Sequence, residues 1–210
     1  MYKVVICDDH AIVRRGLKEI LAETPDISII GEAGNWHELY SVLSQNEVDL
    51  VLLDISMPDR NGLDILKQLK VERPALKVLM LSMYPEEQYA IRALRAGASG
   101  YMTKESALEE LVKAVRKVSR GGKYVSSSMS DKLISDVGSP TDELPHEALS
   151  DREFQVLCMI ATGKSLTEMA NELSISVKTV STYRTRILEK MKLKNNAELT
   201  SYALKQHVVK

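Results

Sequence analysis

The fold of this chain is decided by residues 49–54, which read Asp49-Leu50-Val51-Leu52-Leu53-Asp54. Four consecutive apolar residues end at an acidic one, a pattern typical of a strand that is buried on both faces of a parallel sheet. Similar short apolar runs occur on both sides of this segment. They predict four further strands, at Lys3 to Cys7, Ile27 to Ala33, Lys77 to Leu81 and Gly100 to Met102.

The segments between these strands have apolar residues spaced by three and four, which predicts amphipathic helices. Two such sets are Ile12, Leu17, Ile20 and Leu21, and Leu63, Leu66 and Leu69. Strands alternating with helices over about 120 residues favour an α/β doubly wound domain with a five-stranded parallel sheet, as in flavodoxin-like folds. We expect the strand order 2-1-3-4-5, with ligands at the carboxyl ends of the strands.

Composition excludes several classes of protein. Hydrophobic residues make up 44% of the 210 residues, which is enough for packed cores in two domains. The apolar runs are too short for a membrane-spanning helix, so we expect no membrane association. The two cysteines, Cys7 and Cys158, stand far apart in apolar surroundings. They predict neither a disulfide framework nor a metal cluster, and they fit a cytoplasmic location.

The net charge of −1 conceals a gradient along the chain. Residues 1–122 carry a net −2, residues 123–147 a net −3 and residues 148–210 a net +4. We therefore predict an acidic domain at 1–122, a linker at 123–147 and a basic domain at 148–210. The linker is rich in Ser, Asp, Gly and Pro, and the spacing of four apolar residues makes it partly helical: Met129, Leu133, Ile134 and Val137.

The last 63 residues show helical patterns and no strand pattern. A Ser-x-x-Glu capping box at 150–153 opens a first helix, and Gly163 ends it. A short second helix runs from Leu166 to Leu173, a third from Ser176 to about Leu193, and a fourth from Asn195 to Gln206. A short helix, a tight turn and a longer basic helix predict a helix-turn-helix within an all-α four-helix domain.

The third of these helices has an apolar face and a basic one. At about 100° per residue, one face carries Val177, Val180, Ile187, Leu188 and Met191, and the opposite face carries Lys178, Ser181, Thr182, Thr185, Arg186 and Glu189. Residues 178–194 contain six Lys or Arg and one Glu, a composition suited to DNA phosphates. We expect base contacts from Ser181, Thr182 and Thr185, and phosphate contacts from Lys178, Thr179, Arg184 and Arg186. A solvated basic face is the alternative.

Polar residues follow four of the predicted strands. Asp8 and Asp9 follow the first and Asp54 follows the third, so three carboxylates converge at one sheet edge. Mg²⁺ would relieve their mutual repulsion and leave room for phosphoryl oxygens. Ser82 follows the fourth strand and Lys104 follows the fifth, and together these groups suit phosphoryl transfer to an aspartate. Alternatively, each aspartate only caps the following helix.

The first 120 residues resemble the receiver domain of two-component response regulators. The motifs are Ile6 to His10, Leu53 to Pro58, Asn61 to Asp64 and Gly97 to Lys104. The resemblance implies that Asp54 is the phosphoacceptor, that Mg²⁺ is held by Asp8, Asp9, Asp54 and the backbone carbonyl of Ser56, that Lys104 contacts the phosphoryl group, and that Ser82 and Tyr101 form a switch pair. Glu105 stands where many receivers have proline.

Residues 148–210 resemble the LuxR-type helix-turn-helix of the NarL/FixJ subfamily, through motifs such as Leu149 to Glu153, Lys178 to Val180 and Lys190 to Leu193. Together the two resemblances imply a DNA-binding transcriptional regulator controlled by phosphorylation. Its partners would be a histidine kinase, double-stranded DNA and a second copy of itself, bound when phosphorylated or on DNA. It would not be an enzyme beyond reactions at its own aspartate.

Two other interpretations remain open from the residues. One is a Mg²⁺-dependent enzyme that transfers phosphoryl groups and carries an additional helical module. The other retains the DNA-binding domain but leaves Asp54 unphosphorylated.

Overall fold

A computed structural model describes residues 1–57, 60–127, 129–131 and 144–209. The chain divides into two compact units, Met1–Ile134 and Ser135–Lys210, called the first and second unit below. Three of the four apolar residues of the predicted linker helix, at 133, 134 and 137, lie outside the described residues. Within the described ranges, no helix has both the length and the apolar character required to cross a membrane.

The first unit contains the predicted parallel sheet. Its strands are β1 (Tyr2–Cys7), β2 (Ile27–Ala33), β3 (Leu50–Asp54), β4 (Lys77–Ser82) and β5 (Gly100–Thr103), in the order β2-β1-β3-β4-β5. The helices between and after them are α1 (Ala11–Ala22), α2 (Trp36–Gln45), α3 (Gly62–Glu72), α4 (Glu86–Arg95) and α5 (Ala107–Ser119). The prediction of an α/β doubly wound fold with this strand order is confirmed.

Burial explains why β3 has a continuous apolar sequence. Leu50 to Leu53 are fully buried, because β3 is central in the sheet and helices cover both of its faces. The apolar face of α1 is narrower than the sequence predicted. Leu17 and Leu21 are buried, whereas Ile12 is 88% exposed. Ile12 precedes Leu17 by five residues, which places it about 140° around the helix and away from the core.

The chain extends the sheet edge after α5. Tyr124 forms a parallel bridge with Gly100, and its carbonyl accepts a hydrogen bond of 2.8 Å from the N–H of Tyr101. Only 5% of Tyr124 is exposed. A Cβ at Gly100 would lie 2.5 Å from the Tyr124 carbonyl oxygen, so this close approach requires glycine. Residues predicted to begin the linker therefore pack on the first unit.

The second unit is helical where it is described. A 3₁₀ turn (Pro145–Ala148) precedes α6 (Asp151–Ala161), α7 (Leu166–Glu172), α8 (Val177–Met191) and α9 (Asn196–Lys205). The predicted capping box at 150–153 is present, and Ser165 and Glu168 form a second one at the start of α7. Gly163 has φ +82° and follows the end of α6, as the sequence predicted.

The buried stripe of α8 is also narrower than predicted. Val180 and Ile187 are fully buried and Met191 is 5% exposed. These three residues lie within about 20° of one direction around the helix. Val177 was assigned to the same face but is 42% exposed, and Leu188 is only half-buried. Because they stand about 60° and 80° from Val180 on the same side of the helix, they lie at one margin of the stripe.

Candidate functional site

The sheet topology brings the predicted pocket residues to one edge. β1 pairs with β3 up to Cys7 and Leu53, so the acidic residues that follow these two strands meet directly. Asp8 is fully buried and Asp54 is 1% exposed, whereas the side chain of Asp9 is 28% exposed. The pocket therefore has two buried carboxylates at its base and a third at its mouth.

Lys104 closes one side of this pocket. Its Nζ lies 2.6 Å from Oδ2 of Asp8 and 3.0 Å from Oδ2 of Asp54, and its side chain is 7% exposed. The backbone N–H of Lys104 donates a 2.7 Å hydrogen bond to the carbonyl of Ser82, which ties the loop after β5 to the end of β4. The lysine thus reaches both carboxylates, although Glu105 replaces the proline of many receivers.

The charges of the pocket are incompletely balanced. Burial raises the pKa of Asp54 to about 6, against the opposing attraction of Lys104, and repulsion from Asp8 adds to the increase. Burial acts to lower the pKa of Lys104, but Asp54 and Asp8 outweigh it and the pKa is raised. Within the described residues, Oδ1 of Asp54 is buried without a hydrogen-bond partner, whereas Oδ1 of Asp9 lies 2.6 Å from Nδ1 of His10. These oxygens leave the pocket chemically suited to a hard cation.

The ligand atoms that could hold such a cation are close together. One atom each from Asp8, Asp9, His10 and Asp54 lies within 4.8 Å of the others. Three of these residues were predicted as metal ligands, and His10 was not. Ser56, whose carbonyl was also predicted to bind the metal, lies two residues beyond Asp54, and that role stays a prediction. A histidine next to a pair of aspartates was the available sequence signal for His10.

Both predicted switch residues are buried and contact the same neighbour. The Oγ of Ser82 accepts a 3.0 Å hydrogen bond from the N–H of Tyr84, and the hydroxyl of Tyr101 donates a 2.8 Å bond to the Tyr84 carbonyl. Burial raises the pKa of Tyr101, so its hydroxyl remains protonated and able to donate. Sequence reasoning missed Tyr84, because it acts through its main chain.

A glycine beside the pocket allows α3 to approach β3. A Cβ at Gly62 would lie 2.0 Å from the carbonyl oxygen of Asp54, so no other residue fits without moving the backbone. Asn61 precedes it and caps α3, with its Oδ1 accepting a 2.8 Å hydrogen bond from the N–H of Leu63. The Asn61-Gly62 pair therefore fixes the start of α3 directly against Asp54.

The outer face of α8 carries the predicted DNA contacts. Lys178, Thr182, Thr185 and Arg186 are exposed. Thr182 Oγ1 donates a 3.0 Å hydrogen bond to the carbonyl of Lys178, and Thr185 Oγ1 donates a 3.1 Å bond to that of Ser181. A hydroxyl that donates to its own helix can still accept, so both threonines can receive a hydrogen bond from a base edge.

The remaining residues predicted to contact DNA are less exposed. Ser181, Thr179 and Arg184 are half-buried. Thr179 Oγ1 lies 2.8 Å from the Oγ of Ser176, the cap of α8, and Arg184 Nε donates a 2.5 Å hydrogen bond to Oδ1 of Asn196. The Arg184 contact explains how a charged residue is accommodated near the apolar stripe.

One basic residue of α8 forms an ion pair with a buried glutamate of the second unit. Lys190 Nζ lies 2.7 Å from Oε2 of Glu153, whose side chain is only 4% exposed. Burial alone would raise the pKa of Glu153, but Lys190 and Ser150 together lower it. The positive charge of Lys190 is therefore already paired with Glu153. The net positive charge that α8 and its end offer to DNA is smaller than the count of six Lys or Arg and one Glu suggests.

Two family models match the chain. That of the response regulator receiver domain matches residues 4–116, and that of the luxR family of bacterial regulatory proteins matches residues 147–203. Oxygen regulatory protein NreC of Staphylococcus carnosus is 38% identical over 216 residues, covering 99% of each chain. Response regulator UvrY of Escherichia coli is 34% identical over 206 residues, covering 98% of this chain and 94% of the relative.

Solved structures show the same organisation. RcsB from Salmonella enterica serovar Typhimurium, bound to promoter rprA in the presence of phosphomimetic BeF3-, is 26% identical with a TM-score of 0.65. That match covers 96% of this chain and 97% of RcsB. A structure of two RcsB dimers bound to two parallel DNAs is 26% identical with a TM-score of 0.59, covering 100% and 99% of the two chains. With a receiver domain followed by a LuxR-type DNA-binding domain, the chain belongs to the NarL/FixJ family of two-component transcriptional response regulators.

Proposed function

We propose that this regulator accepts a phosphoryl group on Asp54, from a histidine kinase or a small phosphodonor, and then binds DNA through α8. The observation that carries the proposal is the environment of Asp54. Its carboxylate is 1% exposed, lies 3.0 Å from Lys104 Nζ and retains a buried Oδ1 without a hydrogen-bond partner in the described chain. That oxygen is available to attack phosphorus.

The chemistry is a transfer between two protein side chains. A carboxylate oxygen of Asp54 forms a bond to phosphorus while the bond from phosphorus to the donor nitrogen or oxygen breaks, and the donor leaves with the electron pair. Lys104 is placed to attract the phosphoryl oxygens. Asp8, Asp9, Asp54 and the Ser56 carbonyl would hold Mg²⁺, which supplies positive charge for the transferred group when bound.

Phosphorylation would act on the linker through Ser82 and Tyr101. In this proposal the Ser82 hydroxyl moves toward the phosphoryl group, and the ring of Tyr101 occupies the space behind it. Two contacts support this route. Both side chains are hydrogen-bonded to Tyr84, and the N–H of Tyr101 is hydrogen-bonded to Tyr124, where the segment after α5 joins the sheet edge.

DNA binding would take place on the outer face of α8, in the cytoplasm, where the genome lies. Base contacts are assigned to Ser181, Thr182 and Thr185, and phosphate contacts to Lys178, Thr179, Arg184 and Arg186. The protein would bind as a homodimer, for which α9 offers the exposed Leu204. The RcsB dimers bound to DNA support this arrangement.

The test is DNA affinity with and without beryllofluoride, which mimics a phosphoryl group on an aspartate. Genomic fragments recovered with the unmodified protein serve as the DNA. We expect beryllofluoride and Mg²⁺ to increase the affinity at least tenfold, and Asp54→Asn to abolish the increase. Asp49→Asn is the matched control, because Asp49 directly precedes β3, at the end of the strand remote from Asp54. Equal affinities with and without beryllofluoride would refute phosphorylation control.

A further inference from the structure

His10 is placed for a role that helix formation does not explain. It stands at the N-cap position of α1, yet its side chain makes no capping hydrogen bond. The imidazole turns toward the acidic pocket instead. Its Nδ1 lies 2.6 Å from Oδ1 of Asp9 and 3.4 Å from Oδ1 of Asp8.

His10 and Asp9 face each other at the edge of the pocket. Nδ1 of His10 and the buried Oδ1 of Asp9 are 2.6 Å apart, a distance typical of a close pair of polar groups. Two ligands on adjacent corners of an octahedral cation, with bonds of about 2.1 Å, stand about 3 Å apart. A small increase in this separation would therefore let both atoms bind one cation as neighbouring ligands.

The separations among all four candidate ligands also suit one cation. Ligand atoms of Asp8, Asp9, His10 and Asp54 all lie within 4.8 Å of one another. Ligands on opposite corners of such an octahedron are about 4.2 Å apart, so small movements allow one ion to reach all four. The buried and unpartnered Oδ1 of Asp54, which belongs to a residue only 1% exposed, is an independent indication that the pocket takes a ligand.

The main chain of His10 holds the same loop in place. Its N–H donates a 2.9 Å hydrogen bond to Oδ1 of Asp8, and Arg14 Nη1 donates a 2.6 Å bond to the Asp8 carbonyl. The side chain of His10 is 62% exposed, which places it at the mouth of the pocket. A cation arriving from solvent would meet the imidazole before the buried carboxylates.

We propose that His10 is a direct ligand of the divalent cation in this pocket, an inference that rests on the proposed cation site at Asp8, Asp9 and Asp54. An imidazole nitrogen contributes little to Mg²⁺, which prefers oxygen, but binds Co²⁺ and Zn²⁺ well. The pocket therefore accepts Mg²⁺ through its carboxylates and binds nitrogen-preferring cations more tightly than three carboxylates alone would.

The test compares Co²⁺ and Mg²⁺ binding to the full-length protein by calorimetry, with each metal alone as the probe. His10→Asn removes the imidazole and leaves a good N-cap residue, so α1 is preserved. Loss of even an outer-shell partner weakens metal binding by about 10–100-fold. We therefore expect His10→Asn to weaken Co²⁺ binding at least tenfold and to change Mg²⁺ binding less than about threefold. His207→Asn, an exposed histidine of the second unit, is the matched control.

A second measurement needs no substitution. With Co²⁺ bound to the unmodified protein, a ligating imidazole gives strongly shifted resonances from its non-exchanging ring C–H protons in proton NMR. Absence of those resonances, or equal Co²⁺ affinity in His10→Asn and the unmodified protein, overturns the inference while leaving the cation site intact. If the unmodified protein does not bind Mg²⁺, the cation site of the proposed function is itself wrong.

Discussion

The salt dependence of DNA binding should distinguish two basic residues of α8. Arg186 is exposed and stands about 120° from the buried stripe around the helix, whereas Lys190 Nζ lies 2.7 Å from the buried Glu153. Each phosphate neutralised by a protein cation contributes about 0.9 to the slope of log affinity against log salt. We expect Arg186→Gln to reduce the slope by about 0.9 and Lys190→Gln to reduce it by less than about 0.3.

The change in salt slope can be measured as a change in DNA affinity between two salt concentrations. Between 50 and 200 mM salt, an affinity whose slope is steeper by about 0.9 falls by a further factor of about 3.5. Fluorescence anisotropy of a labelled mixed-sequence duplex, titrated at four or five salt concentrations, resolves this factor. The slope is independent of the operator sequence, so no target gene is needed. Equal slopes for Arg186→Gln and Lys190→Gln would show that the Glu153 contact does not decide which cations meet phosphate.

Three further outcomes follow from the structure. Asp54→Asn should raise the unfolding free energy of the metal-free protein at pH 7 by about 1–3 kcal/mol. A carboxyl whose pKa is raised from 3.8 to about 6 in the folded protein loses stability as the pH rises between those values, and the loss is complete at pH 7. Chemical denaturation in EDTA measures the gain, which should shrink on adding Mg²⁺. Glu153→Gln should destabilise the second unit by about 1 kcal/mol more than Glu168→Gln, since only Glu153 pairs with Lys190. The pKa of Glu153 is lowered in the folded protein, so the difference in stability between the two variants should be largest near neutral pH and disappear as the pH falls through that pKa. A difference that does not depend on pH would refute the pairing of Glu153 with Lys190. Tyr124→Ala should remove hydrogen-exchange protection from residues 123–126 while Tyr124→Phe retains it, and equal protection in both would contradict the packing described above.

The fold could be predicted because its signals are local and redundant. A strand buried on both faces requires consecutive apolar residues, and Leu50 to Leu53 meet that requirement without reference to the rest of the chain. The width of the buried face of a helix could not be predicted in the same way. Ile12 and Val177 match an apolar spacing, yet both are exposed, because a spacing of three or four admits residues far from the centre of the buried stripe.

The pocket could be predicted only where side chains carry the chemistry. Asp8, Asp54 and Lys104 were recognisable only as a set, because they follow strands whose order brings their carboxyl ends together. Tyr84 and Tyr124 were not, since each accepts a hydrogen bond through its carbonyl, a group that every residue has. No sequence pattern singles out a residue that acts through its main chain.

Those two carbonyls connect Tyr101 both to the pocket side of the sheet and to the segment after α5. Its hydroxyl is bonded to Tyr84 on the side of the pocket, and its N–H is bonded to Tyr124 on the side of the linker. Gly100 leaves no space for a Cβ against Tyr124, so the two backbones are closely apposed at this edge. A displacement of β5 caused by chemistry at Asp54 must therefore move the start of the linker with it, whereas a displacement of the Tyr101 ring alone need not. On this basis the main chain at 100–101, rather than the aromatic ring by itself, is the element through which phosphorylation would reach the DNA-binding domain.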